Sequence, residues 1–249
     1  MKCFIVLPCY NEEENVKPLV YAIDRTLRQY IPYEIIAVND GSTDHTIEIL
    51  ERISKQYPLK LLEHETNEGL AAALQTGLNE AIKCSTDEDF IVTMDADNTH
   101  DPRYIKDLIR STKEADVVVG SRYVTNGRQL GVASYRIIMS KVANFMTRKI
   151  MRLPVKDATS GYRCFKASAL KRSKIFSKQD FIESKGFEVS LEILAKSFLG
   201  NLTIDEVAIV LDYTKKKGVS KMKILLTIQR YLTLLLKMKA WENRFENES

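Results

Sequence analysis

The chain has 249 residues, with 37 Lys and Arg against 33 Asp and Glu, and its formal net charge is +4. This length suits one large domain or two small ones, and so weak a positive charge does not indicate nucleic-acid binding. Gly and Pro are scarce, at 10 and 6 residues, which excludes collagen-like and disordered classes. The four cysteines form no C-x-x-C pair, so the sequence indicates neither a zinc site nor a redox motif.

Short β-branched runs alternate with helical patterns through the first half of the chain. We expect strands at 4–7, 33–38, 59–63, 90–94 and 117–119, with helices at 14–29, 44–57, 70–83 and 101–113. Beyond residue 130 the pattern loosens into helices at 132–151 and 187–198 and strand-like runs at 160–165 and 202–211. This alternation predicts an α/β fold with a mostly parallel central sheet and helices on both faces.

The first apolar run, Phe4 to Leu7, is short and is broken at once by Pro8. A secretory signal needs a longer apolar segment and a small-residue cleavage site. We therefore expect a cytoplasmic protein.

Unusually polar segments follow three of the expected strands, after residues 7, 38 and 94. Ligands of open α/β sheets bind beyond the carboxyl ends of the strands, so these segments are the candidate site. Helix capping explains Asp44 and Asp101, which stand where a helix begins. It does not explain Asp95 and Asp97.

Asp95 and Asp97 are one residue apart at the end of an apolar strand, and this spacing directs both carboxylates to one side of an extended backbone. Two adjacent carboxylates repel each other unless a cation joins them, and Mg²⁺ or Mn²⁺ bound with phosphate oxygens fits this arrangement. A metal–diphosphate site is one interpretation. A solvated acidic turn is the other, because D-x-D is a weak signal by itself.

The other two loops favour a nucleotide. Tyr10 and Glu12 in the first loop and Asp40 in the second should converge on the same edge of the sheet, where carboxylates and an aromatic ring can bind a nucleoside. The sequence contains neither G-x-G-x-x-G nor G-x-x-x-x-G-K-[ST], which disfavours Rossmann dinucleotide binding and P-loop hydrolysis. The remaining interpretation is a site that binds a nucleotide through a metal ion.

Eight motifs in chain order carry a resemblance to a known family. They are Pro8-Cys9-Tyr10-Asn11-Glu12, Val38-Asn39-Asp40-Gly41-Ser42, Asn67-Glu68-Gly69, Met94-Asp95-Ala96-Asp97, His100-Asp101-Pro102, Gly120-Ser121-Arg122-Tyr123, Thr159-Ser160-Gly161-Tyr162-Arg163 and Gly218-Val219-Ser220-Lys221. With them the chain resembles family 2 glycosyltransferases of GT-A fold, in particular dolichyl-phosphate mannose synthases and related polyprenyl-phosphate sugar transferases. Each motif alone is weak evidence for the family, but eight motifs in the same order are specific evidence for it.

The resemblance implies roles for individual residues. Carried over by position, the donor-binding residues are Pro8, Tyr10, Glu12 and Asp40 at the nucleoside, Asp95 at the diphosphate, and Lys215. The metal ligands for Mg²⁺ or Mn²⁺ are Asp95 and Asp97, the acceptor-phosphate residues are Arg122, Arg136 and Ser140, and the catalytic residues are Asp97, Arg122 and Arg136.

Two positions depart from the family pattern. Thr99 stands where close relatives offer a Gln as a further ligand on the metal side. Lys215 stands where an Arg usually precedes the G-x-S-K turn. Lysine keeps the charge of arginine but loses its bidentate fork, so both departures bear on metal choice and phosphate binding.

The chemistry of the acceptor favours a phosphate. A hydroxyl acceptor needs a positioned general base, whereas a phosphate monoester is already an anion near neutral pH, its second pKa being about 6. Such an anion needs cations to position it, and Arg122 and Arg136 are suitable. Neither a late carboxylate pair nor a Gln-x-x-Arg-Trp motif is evident. Asp157 stays open as a hidden base.

The C-terminal segment is rich in leucine with basic residues at both ends. Its apolar stretch, 224–236, is interrupted by Gln229 and Arg230 and spans roughly 20 Å as a helix, whereas a bilayer core is about 30 Å thick. The segment fits a helix at the membrane interface or a helix packed on the main sheet. We expect a GT-A catalytic domain over 1–220 and an amphipathic helix with a polar tail over 221–249.

We therefore expect an inverting, metal-dependent transferase that moves a hexose, first of all mannose from GDP-mannose, to a polyprenyl phosphate. It would be peripherally associated with the cytosolic membrane face. UDP-glucose and UDP-N-acetylglucosamine stay open as donors, and a sugar or protein hydroxyl as acceptor. A non-catalytic protein that binds nucleotide sugars is a further alternative.

Overall fold

The structure, a computed structural model, describes residues 1–217 and 224–248. The strands are β1 (Cys3–Cys9), β2 (Tyr33–Asp40), β3 (Leu59–His64), β4 (Phe90–Thr93), β5 (Val117–Ser121), β6 (Arg128–Leu130), β7 (Arg163–Lys166), β8 (Ile204–Ala208) and β9 (Val210–Asp212). The α-helices are α1 (Val16–Leu27), α2 (Thr46–Ser54), α3 (Leu70–Cys84), α4 (Ile105–Ser111), α5 (Ser134–Met151), α6 (Ala167–Arg172), α7 (Val189–Leu199) and α8 (Ile224–Glu248). The Gly218-Val219-Ser220-Lys221 motif lies outside the described residues.

Seven strands form one sheet in the order β3-β2-β1-β4-β7-β5-β8. The pairs β1–β2, β1–β4, β2–β3 and β5–β8 are parallel, while β7 runs antiparallel to both of its neighbours. Strands β6 and β9 pair in parallel as a separate two-stranded sheet. The predicted mostly parallel α/β sheet is thus confirmed.

Alternate residues of β1 supply two hydrophobic cores, one on each face of the sheet. Ile5 and Leu7 pack in a core that also contains the buried faces of α1, α2 and α4. Phe4 and Val6 point to the other face, where α3, α6 and α7 contribute the core. Fully burying one such side chain contributes about 1.5–3 kcal/mol. The two cores hold the carboxyl ends of the parallel strands in a common edge.

A third core joins α8 to the rest of the fold. Leu234, Met238 and Trp241 of α8 are buried together with Leu191 and Leu194 of α7. On the opposite side of α8, two leucines stay exposed at positions 232 and 236. One face of this helix is therefore packed against the protein, as one of the two sequence interpretations requires.

The observed elements differ from the expected ones in several places. The strand expected at 160–165 begins only at Arg163, and β6 and α6 were not foreseen. The run 202–211 splits at Ile209, whose N–H donates to Ser121 of β5 while its carbonyl accepts from Arg128 of β6. The segment expected as an amphipathic helix with a polar tail over 221–249 is helical from Ile224 to Glu248. Of the helices described, none combines the length and apolar character of a membrane span.

Candidate active site

A cavity of about 1010 Å³ opens where β1, β2 and β4 end. Eight of the residues proposed from the sequence line it: Pro8, Tyr10, Glu12, Asp40, Asp95, Asp97, Arg122 and Ser140. The structure therefore brings three separate loops and two later segments to one place. Arg136 lies in α5, and its side chain is outside the described part of the structure.

The Asp97 carboxylate has hydrogen-bond partners on both of its oxygens. Its Oδ1 accepts hydrogen bonds from the Thr99 N–H at 3.1 Å and the Thr99 hydroxyl at 2.6 Å. Its Oδ2 lies 2.6 Å from the ammonium of Lys216. Burial alone would raise the pKa of Asp97, but the Lys216 charge lowers it below its ordinary value. Thr99, the position that departs from the family, thus orients Asp97 from within the loop.

Asp95 is the more open of the two, with about half of its side chain exposed. Its backbone N–H donates to Nδ1 of His100 at 3.0 Å, and the His100 ring stacks on Tyr162 at a centroid distance of 4.8 Å. Although its side chain opens into the cavity, the protein around it keeps the Asp95 carboxyl away from bulk water. This desolvation, together with the neighbouring carboxylate of Asp97, raises the pKa of Asp95. A raised pKa beside a second carboxylate marks a place where a cation would be stabilising.

The two aspartates fit a metal that is shared with a substrate. Across residues 1–217 and 224–248, no group of three or more His, Cys, Asp and Glu side chains could hold a metal ion. Asp95 and Asp97 nevertheless stand together, and Asp97 already holds a cationic group. Mg²⁺ is commonly bound by one or two carboxylates plus substrate phosphates. The donor set therefore suits Mg²⁺ or Mn²⁺ whose remaining ligands come from a diphosphate and water.

The lysine at this site is Lys216, whereas the sequence pointed to Lys215. Lys215 is absent from the described lining of the cavity, and its ammonium lies 3.5 Å from Oδ2 of Asp101. A short 3₁₀ turn over Tyr213–Lys215, capped by the Asp212 side chain, sets the direction of the chain just before Lys216. Neighbouring side chains leave such a turn in different directions, which the family pattern alone does not resolve.

Asn15 joins three parts of the site and was missed by the sequence analysis. This buried side chain donates to Oε2 of Glu12 at 2.7 Å and to the carbonyl of Lys217 at 3.1 Å. The Asn98 amide donates in turn to Asn15 Oδ1 at 3.2 Å. Asn15 thereby ties the first loop, the Asp95–Asp97 loop and the segment carrying Lys216. A single asparagine at a helix start gives no sequence signal for this role.

Asp40, which lines the cavity, has a partner behind it that the sequence analysis did not expect. Asp40 accepts hydrogen bonds from the backbone N–H groups of Glu68 and Gly69, at 3.0 and 2.9 Å, and lies 2.8 Å from Nδ1 of His64. The sequence carried no signal for His64. Asp40 is thus fixed by partners from two other segments.

Arg122 lines the cavity beside Ser140 of α5, close enough to Asp95 for their charges to interact, and a buried carboxylate holds it. Its Nε and Nη2 donate to the two oxygens of Asp157 at 2.7 and 2.6 Å, and Nη2 also donates to the Thr159 hydroxyl at 2.8 Å. The Ser140 hydroxyl is 3.4 Å from the same nitrogen. Among the described residues, the hydrogen bonds of the Arg122 guanidinium use Nε and Nη2 and none uses Nη1.

Asp157 does not suit the role of a general base. It is fully buried, and both of its oxygens accept from Arg122. Burial would raise the pKa of this carboxyl, but the Arg122 guanidinium lowers it below the ordinary value. A base needs a pKa near the working pH and a path to its substrate. Asp157 instead positions Arg122.

Beyond Arg122 the cavity becomes apolar. Its walls are formed there by Ile138, Val142 and Met146 of α5 and by Leu226, Leu232 and Leu235 of α8. Most of these side chains are exposed, Ile138 to 61% and Val142 to 55%. The sequence analysis placed an amphipathic surface on the C-terminal helix alone, whereas the structure adds α5 to it. The cavity thus leads from an acidic end, past a guanidinium, to an open apolar surface.

Comparison with known proteins agrees with this geometry. A model of the family described as Glycosyl transferase family 2 matches residues 4–174. The chain is 33% identical to a dolichol-phosphate mannosyltransferase of Pyrococcus furiosus over 99% of its own length, and it spans 66% of that relative. It is 28% identical to a polyprenol monophosphomannose synthase of Mycolicibacterium smegmatis, covering 89% of this chain and 81% of that protein.

Solved structures show the same fold. The glucosyl-3-phosphoglycerate synthase of Mycobacterium tuberculosis, in complex with Mn²⁺, UDP and phosphoglyceric acid, matches 95% of this chain and 78% of its own with a TM-score of 0.67 and 19% identity. Residues 1–349 of S. aureus TarS in complex with UDP-GlcNAc match 88% of this chain and 60% of that one, with a TM-score of 0.59 and 22% identity. The central sheet is therefore that of GT-A glycosyltransferases. Since the family model matches well over half of its residues, the chain belongs to glycosyl transferase family 2.

Proposed function

We propose that this protein transfers a hexose from a nucleotide sugar to a polyprenyl phosphate at a membrane surface, with inversion at the anomeric carbon and dependence on Mg²⁺ or Mn²⁺. GDP-mannose is the first donor to test. The names of the two similar proteins, one acting on dolichol phosphate and one making a polyprenol monophosphomannose, support this choice of acceptor. The observation that carries the proposal is the position of Arg122, between the acidic and the apolar parts of one cavity.

The acidic part of the cavity is suited to the donor. Tyr10 and Glu12 line it beside Asp40, at the end where a nucleoside would bind. Asp95 and Asp97 would hold the metal, and a bound Mg²⁺ or Mn²⁺ would neutralise the diphosphate as its bond to C1 of the sugar breaks. The ammonium of Lys216, already at Asp97, adds a second positive charge to the leaving group.

The guanidinium in the cavity is suited to an anionic acceptor. Asp157 fixes the plane of the Arg122 guanidinium through Nε and Nη2, and in this proposal Nη1 would donate to the incoming phosphate. Ser140, 3.4 Å from Nη2, can add a hydroxyl donor. A phosphate monoester oxygen that attacks C1 has no proton to lose at neutral pH, so this step needs position and charge, not a base.

The proposed reaction forms one bond and breaks one bond at C1 of the sugar. A bond forms between the acceptor phosphate oxygen and C1, and the bond between C1 and the diphosphate oxygen breaks, releasing a nucleoside diphosphate. One displacement with attacker and leaving group on opposite sides inverts C1. Arg122 and Lys216 line the same cavity as Asp95 and Asp97. In this proposal Arg122 would hold the attacking phosphate and Lys216 would neutralise the leaving diphosphate.

The apolar part of the cavity is suited to an isoprenoid chain and a bilayer surface. Tyr135, Ile138, Val142 and Phe145 of α5 are all at least 49% exposed, and Lys141, Arg148 and Lys149 lie on the same helix. Exposed apolar side chains bordered by basic ones are typical of helices that lie in an anionic membrane surface. The acceptor would thus enter from the membrane with its phosphate at Arg122.

The nucleotide base and the sugar of the donor can be identified by assaying several nucleotide sugars. The structures similar in fold contain UDP or UDP-GlcNAc, and the two similar proteins are named for mannose. Purified protein should be incubated with labelled GDP-mannose, UDP-glucose or UDP-N-acetylglucosamine, polyprenyl phosphate in vesicles, and Mn²⁺ or Mg²⁺. We expect label to become extractable into chloroform with one of these donors. No extractable label with any donor would overturn the proposal.

A matched variant ties the result to the acidic loop. Asp97→Asn keeps the size and the hydrogen-bond acceptor of the side chain but removes its charge. It should abolish transfer while the protein still unfolds cooperatively. Transfer at the wild-type rate in this variant would exclude the proposed metal–diphosphate site.

A further inference from the structure

His64 is the last residue of β3, away from the acidic loop. Its ring lies between the end of β2 and helix α3. Its Nδ1 lies 2.8 Å from Oδ1 of Asp40, the last residue of β2. Its Nε2 lies 2.9 Å from the hydroxyl of Thr76 in α3. The side chains of His64 and Asp40 are only 9% and 4% exposed. Both nitrogens of the ring therefore have polar partners, and the ring is largely shielded from solvent.

The partners define how the ring is protonated. A carboxylate only accepts hydrogen bonds, so Nδ1 of His64 carries the proton that is donated to Asp40. In the neutral ring Nε2 then accepts from the Thr76 hydroxyl. The chain Thr76–His64–Asp40 is thus a directed series of hydrogen bonds that ends on the carboxylate.

The same carboxylate holds the turn that borders the cavity. Oδ1 of Asp40 also accepts the N–H of Glu68 at 3.0 Å, and Oδ2 accepts the N–H of Gly69 at 2.9 Å. A carboxylate offers about four acceptor sites, and three are used by these donors, which leaves one on Oδ2. A nucleoside base with a ring N–H, as in uracil or guanine, can use that site.

Close packing makes this turn sensitive to the position of Asp40. Gly41, the next residue, has a φ of +62°, and a Cβ there would overlap the backbone of Thr66. Gly69 also has a positive φ, +97°. Asn67, Glu68 and Gly69 all line the cavity. A small movement of the Asp40 carboxylate would therefore move the wall against which a nucleoside binds.

We propose that His64 is a positioning residue of the nucleoside site, which acts through Asp40 to fix the turn at Asn67–Gly69 and to keep one Asp40 oxygen site for a base N–H. Its ligand class is a nucleoside diphosphate whose base presents a ring N–H beside a carbonyl. This inference rests on the nucleotide-binding half of the proposed function and is independent of the acceptor.

The test measures nucleotide binding by calorimetry with UDP and with GDP, each with Mn²⁺. Loss of a hydrogen bond to a charged group should weaken binding to His64→Ala about ten- to hundredfold. His64→Asn places an amide N–H near the position of Nδ1 and should restore most of the affinity. Thr76→Val should give a smaller loss. His45→Ala, at an exposed histidine, is the matched control and should bind like wild type.

Kinetics separate positioning from a general loss of structure. In transfer assays, His64→Ala should raise the KM for the nucleotide sugar and leave kcat and the KM for the lipid nearly unchanged. Wild-type affinity in a folded His64→Ala protein would overturn the inference while leaving the proposed function intact. If that variant does not fold, Thr76→Val decides, because it removes only the hydroxyl that bonds to Nε2 of His64. A measurable loss of nucleotide affinity in Thr76→Val supports the inference, and wild-type affinity overturns it. A wild-type protein that binds neither nucleotide would overturn both.

Discussion

The ammonium of Lys216 lies 2.6 Å from Oδ2 of Asp97, although 119 positions separate the two residues in sequence. Asp97 sits on the loop after β4, and Lys216 follows the 3₁₀ turn after β9. The contact brings a positive charge to the carboxylate that should share a metal with the donor diphosphate. In the proposed function, this lysine would help to neutralise the phosphates of a nucleotide that binds with a divalent ion.

Replacing this lysine should weaken donor binding. A hydrogen bond to a charged group is worth about 1.5–3 kcal/mol, so Lys216→Ala should reduce the affinity for UDP or GDP with Mn²⁺ at least tenfold. Calorimetry measures the change directly. Lys217→Ala, at the exposed neighbouring lysine, is the control. Equal affinities for the two variants would show that Lys216 has no part in binding the diphosphate.

Removing Asp157 should destabilise the fold strongly. The variant Asp157→Ala leaves the Arg122 guanidinium, whose side chain is 11% exposed, without its carboxylate partner. Breaking a buried ion pair in this way costs about 3–5 kcal/mol in the free energy of unfolding. Replacing both Asp157 and Arg122 with alanine should lower the free energy of unfolding by no more than replacing Asp157 alone. Urea denaturation of the two single variants and the double variant measures this, and additive losses would contradict the pairing.

The same ion pair should make the free energy of unfolding fall at acid pH. Burial would raise the pKa of Asp157, but Arg122 lowers it below its ordinary value of 3.8. The folded protein thus binds this proton more weakly than the unfolded chain, so the contribution is complete above pH 3.8 and is lost as pH falls through the folded pKa. The difference in melting temperature between wild type and Asp157→Asn should shrink below that pH. A difference that is constant down to full protonation would contradict the lowered pKa.

The apolar face of α5 should bind membranes. Ile138 and Phe145 are each 61% exposed, and we expect Ile138→Asp and Phe145→Asp to reduce sedimentation with vesicles that contain anionic lipid. Tyr21→Asp is a matched control, because this residue of α1 is 54% exposed and lies on another helix. Unchanged sedimentation in both α5 variants would place the membrane contact elsewhere.

The buried side of α8 should be needed for stability. Trp241 is 1% exposed, its indole N–H donates to Glu183 at 3.1 Å, and the Lys196 ammonium lies 4.4 Å from its ring centroid. Trp241→Ala should lower the free energy of unfolding by about 3–5 kcal/mol. Leu236→Ala, at a residue 78% exposed on the same helix, should change it little. Similar effects of both changes would argue against the packed orientation of α8.

The sequence was sufficient for the features that depend on local pattern. Period and composition predicted the parallel strands, and the polar loops after β1, β2 and β4 pointed to the edge where Glu12, Asp40 and Asp97 meet. This works because buried parallel strands are apolar throughout and ligands of such sheets bind at their carboxyl ends.

Features that depend on long-range contact could not be predicted in this way. Lys215 and Lys216 are the same residue type side by side, and only the turn before them decides which one reaches Asp97. Asn15 and His64 act through partners in other segments, so neither has a motif of its own. Asp157 stayed open as a base in the sequence analysis, since no local pattern shows that Arg122, 35 positions away, is its buried partner.

The most direct test of the central claim compares two acceptors that differ only in charge. Wild-type protein with a labelled donor and Mn²⁺ should be offered polyprenyl phosphate or the corresponding polyprenol in identical vesicles. Because Arg122 provides a site for an anion and the buried Asp157 provides no base, we expect labelled lipid from the phosphate alone. Comparable transfer to the uncharged alcohol would contradict the claim that the acceptor is an anion positioned by Arg122.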